Sequence, residues 1–274
     1  MLEKIIYYNH NGEALYLGSK GLYANENDLR DFSNKYTSKN GKIVAFNNKG
    51  IVEKSIPIII KADTQERAVE FKNRITEFAD RDIFALQPGK IVINGYYMQG
   101  YLYENIKSNY LIGAAYSEHK LKFVTDNPYW IKEHPFYFKA SKITSTNNKR
   151  YANKYAYRYA NGLNNTYITN EHYAECNFHM NIYGPCVKPS VYIGGHEYHV
   201  DAILEAGERL EIDSTEETVT KVMNSGKRVN MFHYRSFGNT VFKPIQTGKQ
   251  NIFWDGKFDF DLILFEERSE PKWS

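Results

Sequence analysis

Two short apolar runs in this sequence are each turned back on themselves by a two-residue turn, and that pattern constrains the fold more than any other feature. Ile91-Val92-Ile93 is followed by Asn94-Gly95 and then by Tyr96 to Tyr103. Asn-Gly accepts the positive φ angles of a tight hairpin turn, so the run predicts a β-hairpin. Val191-Tyr192-Ile193, Gly194-Gly195 and His196 to Val200 repeat the design. Phe258, Phe260, Leu262 and Leu264 alternate with Asp259, Asp261 and Ile263, as in a strand with one buried face. Short strands are also expected at Thr240 to Ile245 and Asn251 to Trp254, separated by a Thr247-Gly248-Lys249 turn.

One segment breaks the β pattern. From Thr64 to Asp80 the apolar residues Ala68, Phe71, Ile75 and Phe78 recur at spacings of three, four and three, which is one stripe of a helix. Asp63 or Thr64 can cap its first turn, and Glu66 complements the helix dipole. Strands do not alternate with long helices, which argues against a doubly wound nucleotide-binding sheet. The fold class is therefore mainly β: an N-terminal β domain with one long helix over residues 1–135, and a C-terminal β domain over 136–274.

Composition narrows the function classes. The chain has 274 residues, enough to bury a core without staples. Its 35 Lys+Arg against 32 Asp+Glu leave a formal charge of +3, a poor footprint for a protein that neutralises phosphates. Aromatics reach 15%, with 23 Tyr and 16 Phe, and these favour pleated surfaces and interfaces. Cys176 and Cys186 offer no C-x-x-C spacing and are read as two reduced thiols. The first residues lack an apolar stretch of signal-peptide length, and Ile58-Ile59-Ile60 is far short of a membrane span, so a cytoplasmic product without an anchor is expected.

The segment Thr144 to Asn170, rich in Asn, Lys and Tyr, reads as the joint between the domains. Tyr151, Tyr155, Tyr157 and Tyr159 share odd positions, with Arg150, Lys154 and Arg158 opposite. Such interleaving can serve a single-strand nucleic-acid platform, but with so few cations a packing strand is the preferred reading. His196 and His199 lie three apart, which puts them on opposite faces of a strand rather than on one metal ion. The acids Glu205, Glu208, Glu211, Asp213, Glu216 and Glu217 read as solvated turns and strand faces. No G-x-S-x-G, thiol-protease context or phosphate loop is present, so no catalytic residue, cofactor or metal is expected.

Val124-Thr125-Asp126-Asn127-Pro128-Tyr129-Trp130, following a strand that ends in Phe123, resembles the Asp-Pro-Tyr-Trp signature of the distal tail proteins of long-tailed bacteriophages. Asn127 is an insertion into the commoner order. Tyr151 to Tyr159 followed by Asn170-Glu171-His172 is similar to that family, as are Cys176 to Pro185, Pro189 to Ile193, Gly207 to Asp213 and the closing Phe265 to Trp273. The resemblance runs from about Leu121 to the end. It implies a ring-forming, hexameric N-terminal domain, a galectin-like C-terminal β-sandwich and a non-enzymatic hub at the tip of a phage tail, in a virion or prophage. The implied partners are further copies of the chain, the tail tube protein and tail-fibre or receptor-binding proteins, with no membrane and no specific nucleic acid.

Pro128, Tyr129 and Trp130 are expected to set a domain exit and to bury aromatic area at a junction or between subunits. Tyr155, Tyr157 and Trp273 are further interface candidates. A competing reading is a carbohydrate-binding module of the host wall, with Trp254, His233 and Arg235 as its contacts. A wall hydrolase is a third.

Overall fold

The computed structural model describes residues 4–19, 21–47, 50–108, 115–140 and 166–273. The chain divides into two compact units, Met1–Lys132 together with Glu267–Ser274, and Glu133–Glu266.

Unit 1 opens with β1 (Ile5–Tyr8), β2 (Ala14–Tyr16), β3 (Gly18–Ser19) and β4 (Leu22–Ala24). A separate hairpin of β5 (Lys35–Lys39) and β6 (Lys42–Asn47) follows, then β7 (Val52–Lys61), α1 (Gln65–Ala85), β8 (Gly89–Ile93), β9 (Tyr96–Ser108) and β10 (Tyr116–Thr125). The expected Asn94-Gly95 hairpin joins β8 to β9, with Ile93 opposite Tyr96 and φ of 51° and 79° at the two turn residues. Strand β9 is long because it serves two neighbours. Its first half pairs with β8 and its second half with β10, so the sheet curls around a core. Gly100 sits at the changeover, where a methyl group would overlap the Val124 carbonyl and the Phe123 ring. Ile5, Tyr7, Ile56, Ile58, Ile60, Ile91, Ile93, Met98, Leu121 and Phe123 fill the core together with Ala68, Ile75 and Phe78 of the helix.

The helix begins as expected. Thr64 is the N-cap, its side chain accepting from the Arg67 N–H at 3.3 Å, and Glu66 lies in the first turn. It runs five residues beyond the expected Asp80, to Ala85, with Leu86 closing it in the left-handed conformation at φ 51°. The cause is Asp82, which continues the buried stripe at the next four-residue step although it is charged. Its carboxylate is fully buried, accepting from the Tyr7 hydroxyl, from the His10 N–H at 2.8 Å, and facing the His10 ring Nδ1 at 2.7 Å. Burial and the neighbouring carboxylate hold the Tyr7 phenol protonated.

A second buried polar chain lies on the core face of β10 and β9. Ser117 Oγ faces His119 Nε2 at 3.0 Å, and His119 Nδ1 faces Asn105 Oδ1 at 2.9 Å. Burial, with Lys107 and Lys72 adding repulsion, pushes the His119 pKa from its ordinary 6.5 down to about 4. A base with a lowered folded pKa stabilises the native state above the unfolded pKa, and that contribution is lost as pH falls through the interval. Acidification from pH 6.5 to 4 is therefore expected to cost wild type up to about 3 kcal/mol relative to His119→Gln. Urea unfolding of both proteins at several pH values measures this, and parallel pH dependences would refute it.

Strand β11 (Trp130–Phe138) leads from unit 1 into unit 2, which continues with β12 (Thr166–Asn170), β13 (Asn177–Tyr183), β14 (Cys186–Val187), β15 (Ser190–Ile193) and β16 (His196–His199). Then come β17 (Ile203–Leu204), β18 (Arg209–Asp213), β19 (Thr218–Val222), β20 (Arg228–Asn230), β21 (Gly248–Trp254) and β22 (Phe260–Arg268). One sheet runs β20-β19-β18-β13-β22-β11 and the other β12-β21-β15-β16. Phe178, Met180, Ile182, Leu210, Leu262 and Leu264 of the first meet Ile168, Val191, Ile193, Tyr198, Ile252 and Trp254 of the second in a single core, which makes unit 2 a β-sandwich. The second expected hairpin is β15–β16, with φ of 57° and 82° at Gly194 and Gly195. The mainly β fold class stands.

Three expectations are corrected. Thr240 to Ile245 is not a strand: Val241 and Phe242 lie in a turn, and only Ile245 makes a bridge, to Cys176. Thr247-Gly248-Lys249 is no turn, because Gly248 begins β21 opposite Asn170. Thr166 to Asn170 is not a joint but β12, paired with β21 throughout. The Tyr-rich stretch before it lies outside the described residues.

Candidate interaction surfaces

Unit 1 exposes an apolar surface that sequence patterning did not single out. In the β5–β6 hairpin Tyr36 stands directly opposite Phe46. Their side chains are 65% and 66% exposed, and Ile43 and Val44 are more than half exposed. Phe32 and Ile51, at the ends of the hairpin, are exposed as well. The two strands form a sheet of their own. An isolated two-stranded hairpin is marginal in water, and apolar surface this exposed is uncommon on a monomer. The signal was present: Asn40-Gly41, with φ of 52° and 73°, is the same turn that revealed the β8–β9 hairpin. What the pattern could not say is that neither face of this hairpin would be buried. A second exposed patch, Phe84 and Leu86, caps the far end of α1.

The residues expected to mark a junction are placed as follows. Trp130 is fully buried in the core of unit 1, its indole N–H donating to the Leu29 carbonyl at 3.3 Å. It supports one unit from inside and offers no ring face to another subunit. Pro128 and Tyr129 are half-buried. The turn ahead of them is tied by Thr125 Oγ1, which accepts from the Asn127 N–H at 3.1 Å and donates to its carbonyl at 3.0 Å. Trp273 is mostly exposed, with the Arg30 guanidinium 3.9 Å from its ring centroid. Arg30 also donates to the Pro271 carbonyl at 2.7 Å and faces Glu270 at 3.4 Å, while Asn94 donates to the Lys272 carbonyl. These contacts tie the C-terminal residues into unit 1. Tyr155 and Tyr157 lie outside the described residues.

The groups that might have carried chemistry are committed elsewhere. His196 Nε2 faces the Thr240 carbonyl at 2.8 Å, and His199 Nδ1 faces the Pro189 carbonyl at 3.1 Å. Glu208 accepts from the Glu205 N–H and pairs with Lys221, Glu211 pairs with Arg209 and Arg228, and Asp213 faces His179 at 3.5 Å. The Ser117–His119–Asn105 chain has the atom order of an activated nucleophile, but Ser117 is wholly buried, so no substrate reaches it. Both cysteines are free, and burial with the Asp255 charge pushes the Cys186 thiol up to about 11, leaving it protonated. Among the described residues no group of three His, Cys, Asp or Glu is placed to hold a metal ion. No described helix is long and apolar enough to cross a membrane.

Of the three glycan contacts named from sequence, His233 is exposed and the other two are occupied within the chain. Trp254 is 5% exposed, enclosed by Phe138 and Phe260 with its N–H on the Phe258 carbonyl, so it cannot stack on a sugar. Arg235 is folded over Phe232 at 3.6 Å, bonded to that residue's carbonyl.

No protein-family model and no curated protein matches the sequence. Solved structures do. The chain superposes on phage SPP1 Dit (gp 19.1), described as a paradigm of the hub adsorption apparatus in phages infecting Gram-positive bacteria, with a TM-score of 0.59 at 10% identity, covering 98% of this chain and 100% of that one. It superposes equally on a chain of the phage P2 baseplate in its activated conformation, with Ca or with Sr, at a TM-score of 0.60 and 13% identity, covering 99% and 100%. The likeness is one of fold, and it extends over both units.

Proposed function

We propose that this chain, which has the fold of a phage distal tail hub protein, is a structural component of the tail tip of a long-tailed phage. Copies close into a ring, six-membered as the resemblance implies, through surfaces of unit 1. The ring joins the end of the tail tube to fibre or receptor-binding proteins, and the particle is assembled in the host cytoplasm. It works by shape and association, not by turnover.

The observation that carries this reading is the full-length match of both units to hub proteins that differ from it at nearly nine positions in ten. The exposed Tyr36–Phe46 hairpin adds physical support. A ring is a closed heterologous assembly in which each copy needs two different complementary faces, and unpartnered apolar edges supply such faces. Negative-stain images of the purified protein test it. Six-fold annuli at six times the 32.0 kDa chain mass are expected. Single globules at every concentration would overturn the ring.

A further inference from the structure

The hairpin has a matching surface on the same unit, and the match is one of charge. Between Asp31 and Glu53 the sequence contains no acid but carries Lys35, Lys39, Lys42 and Lys49. The described lysines of the hairpin, Lys35, Lys39 and Lys42, make no ion pair among the described residues and share one face of the ribbon, opposite the face that carries Tyr36, Phe46 and Ile43.

On α1 the buried stripe is Ala68, Ile75, Phe78 and Asp82. A helix turns 100° per residue, so the opposite face is Glu66, Glu70, Asn73, Glu77, Asp80 and Phe84. Three arginines of the helix stand on an adjoining row and are occupied. Arg67 faces Asp63, Arg81 is bonded to Glu13, and Arg74 donates to the Ala14 carbonyl. Glu66, Glu70, Glu77 and Asp80 have no ion-pair partner among the described residues. A groove of about 540 Å³ runs beside them, lined by Glu70, Asn73, Arg74, Glu77 and Arg81. Toward its ends the same face exposes Val69 and Phe84.

From these two surfaces we infer that the β5–β6 hairpin of one copy lies along the acidic outer face of α1 in the next copy. This rests on the ring proposed above and names the two dissimilar faces such a ring requires. The lengths agree: six strand residues span about 20 Å, and Glu66 to Asp80 about 21 Å along the helix. Three lysines on one face of the ribbon meet four carboxylates. The exposed state of both surfaces is that of a subunit awaiting its neighbours.

Charge reversal tests the pairing without touching either core. One variant carries Glu70→Lys with Glu77→Lys, the other Lys39→Glu with Lys42→Glu. All four side chains are exposed, so melting temperatures should stay near wild type. Each variant alone places like charges in its own contact, and the concentration needed for ring mass in light scattering should rise at least ten-fold. Mixed in equal amounts, the two should regain ring mass. The unreversed hairpin of the first then meets the unreversed helix of the second, and the two reversed surfaces also meet as opposites, which closes an even-membered, alternating ring.

Loss of assembly through local damage would not be repaired by mixing. Rings from either variant alone at wild-type concentration, or no recovery in the mixture, would overturn the pairing while leaving the ring itself intact. A wild-type chain that stays at monomer mass would overturn the ring along with it.

Discussion

Trp130→Ala is expected to destabilise unit 1 by about 3–5 kcal/mol, the range for truncating a large, fully enclosed aromatic. The side chain is among the largest with no solvent exposure in the protein, and it packs within the same core as Leu29, Met98 and Phe123. Truncation removes the transfer energy of the indole and leaves a cavity that neighbouring strands can close only in part. It also leaves the Leu29 carbonyl without its donor. Urea unfolding followed by circular dichroism measures the loss. Trp130→Phe, which restores much of the volume but not the N–H, should recover more than half of it. A midpoint within experimental error of wild type would show that the residue does not support the core. Tyr129→Ala, at a half-buried position, should cost far less. Loss of assembly in Trp130→Ala would then follow from the weakened unit, not from a missing contact between subunits.

Asp82→Ala should be comparably severe, at about 3–5 kcal/mol, because it strips one member from a buried charged network. Three groups converge on this carboxylate: the Tyr7 hydroxyl, the His10 backbone N–H and the His10 ring. Without it the phenol and amide are buried and unsatisfied. The cost therefore resides largely in the stranded partners, and a double-mutant comparison can show that. In a Tyr7→Phe background the same substitution should cost at least about 1 kcal/mol less, since one stranded donor has already been removed. Equal costs in the two backgrounds would mean that the Tyr7 contact contributes nothing.

Asp82 also explains why hydropathy alone predicts too short a helix. The apolar stripe Ala68, Phe71, Ile75 and Phe78 steps next to position 82, where a charged residue ends any hydropathy pattern. The stripe itself continues, because Tyr7 and His10 come from a strand and a turn over seventy residues earlier to satisfy the carboxylate. Likewise Val241 and Phe242 look like part of a strand but are buried by unrelated neighbours in a turn.

The local elements were set by the sequence alone. Two-residue turns, a capped helix start and period-two alternation are properties of neighbouring residues, and the phi angles at Asn94-Gly95 and Gly194-Gly195 follow from them. Tertiary structure decided which apolar residues would be used up. Trp130, Tyr36 and Phe46 are all aromatic, yet the first lies at the centre of a core and the other two face solvent. The difference lies in whether another part of the chain comes to cover them. Burial depends on the meeting of distant segments, and neither composition nor spacing encodes that meeting.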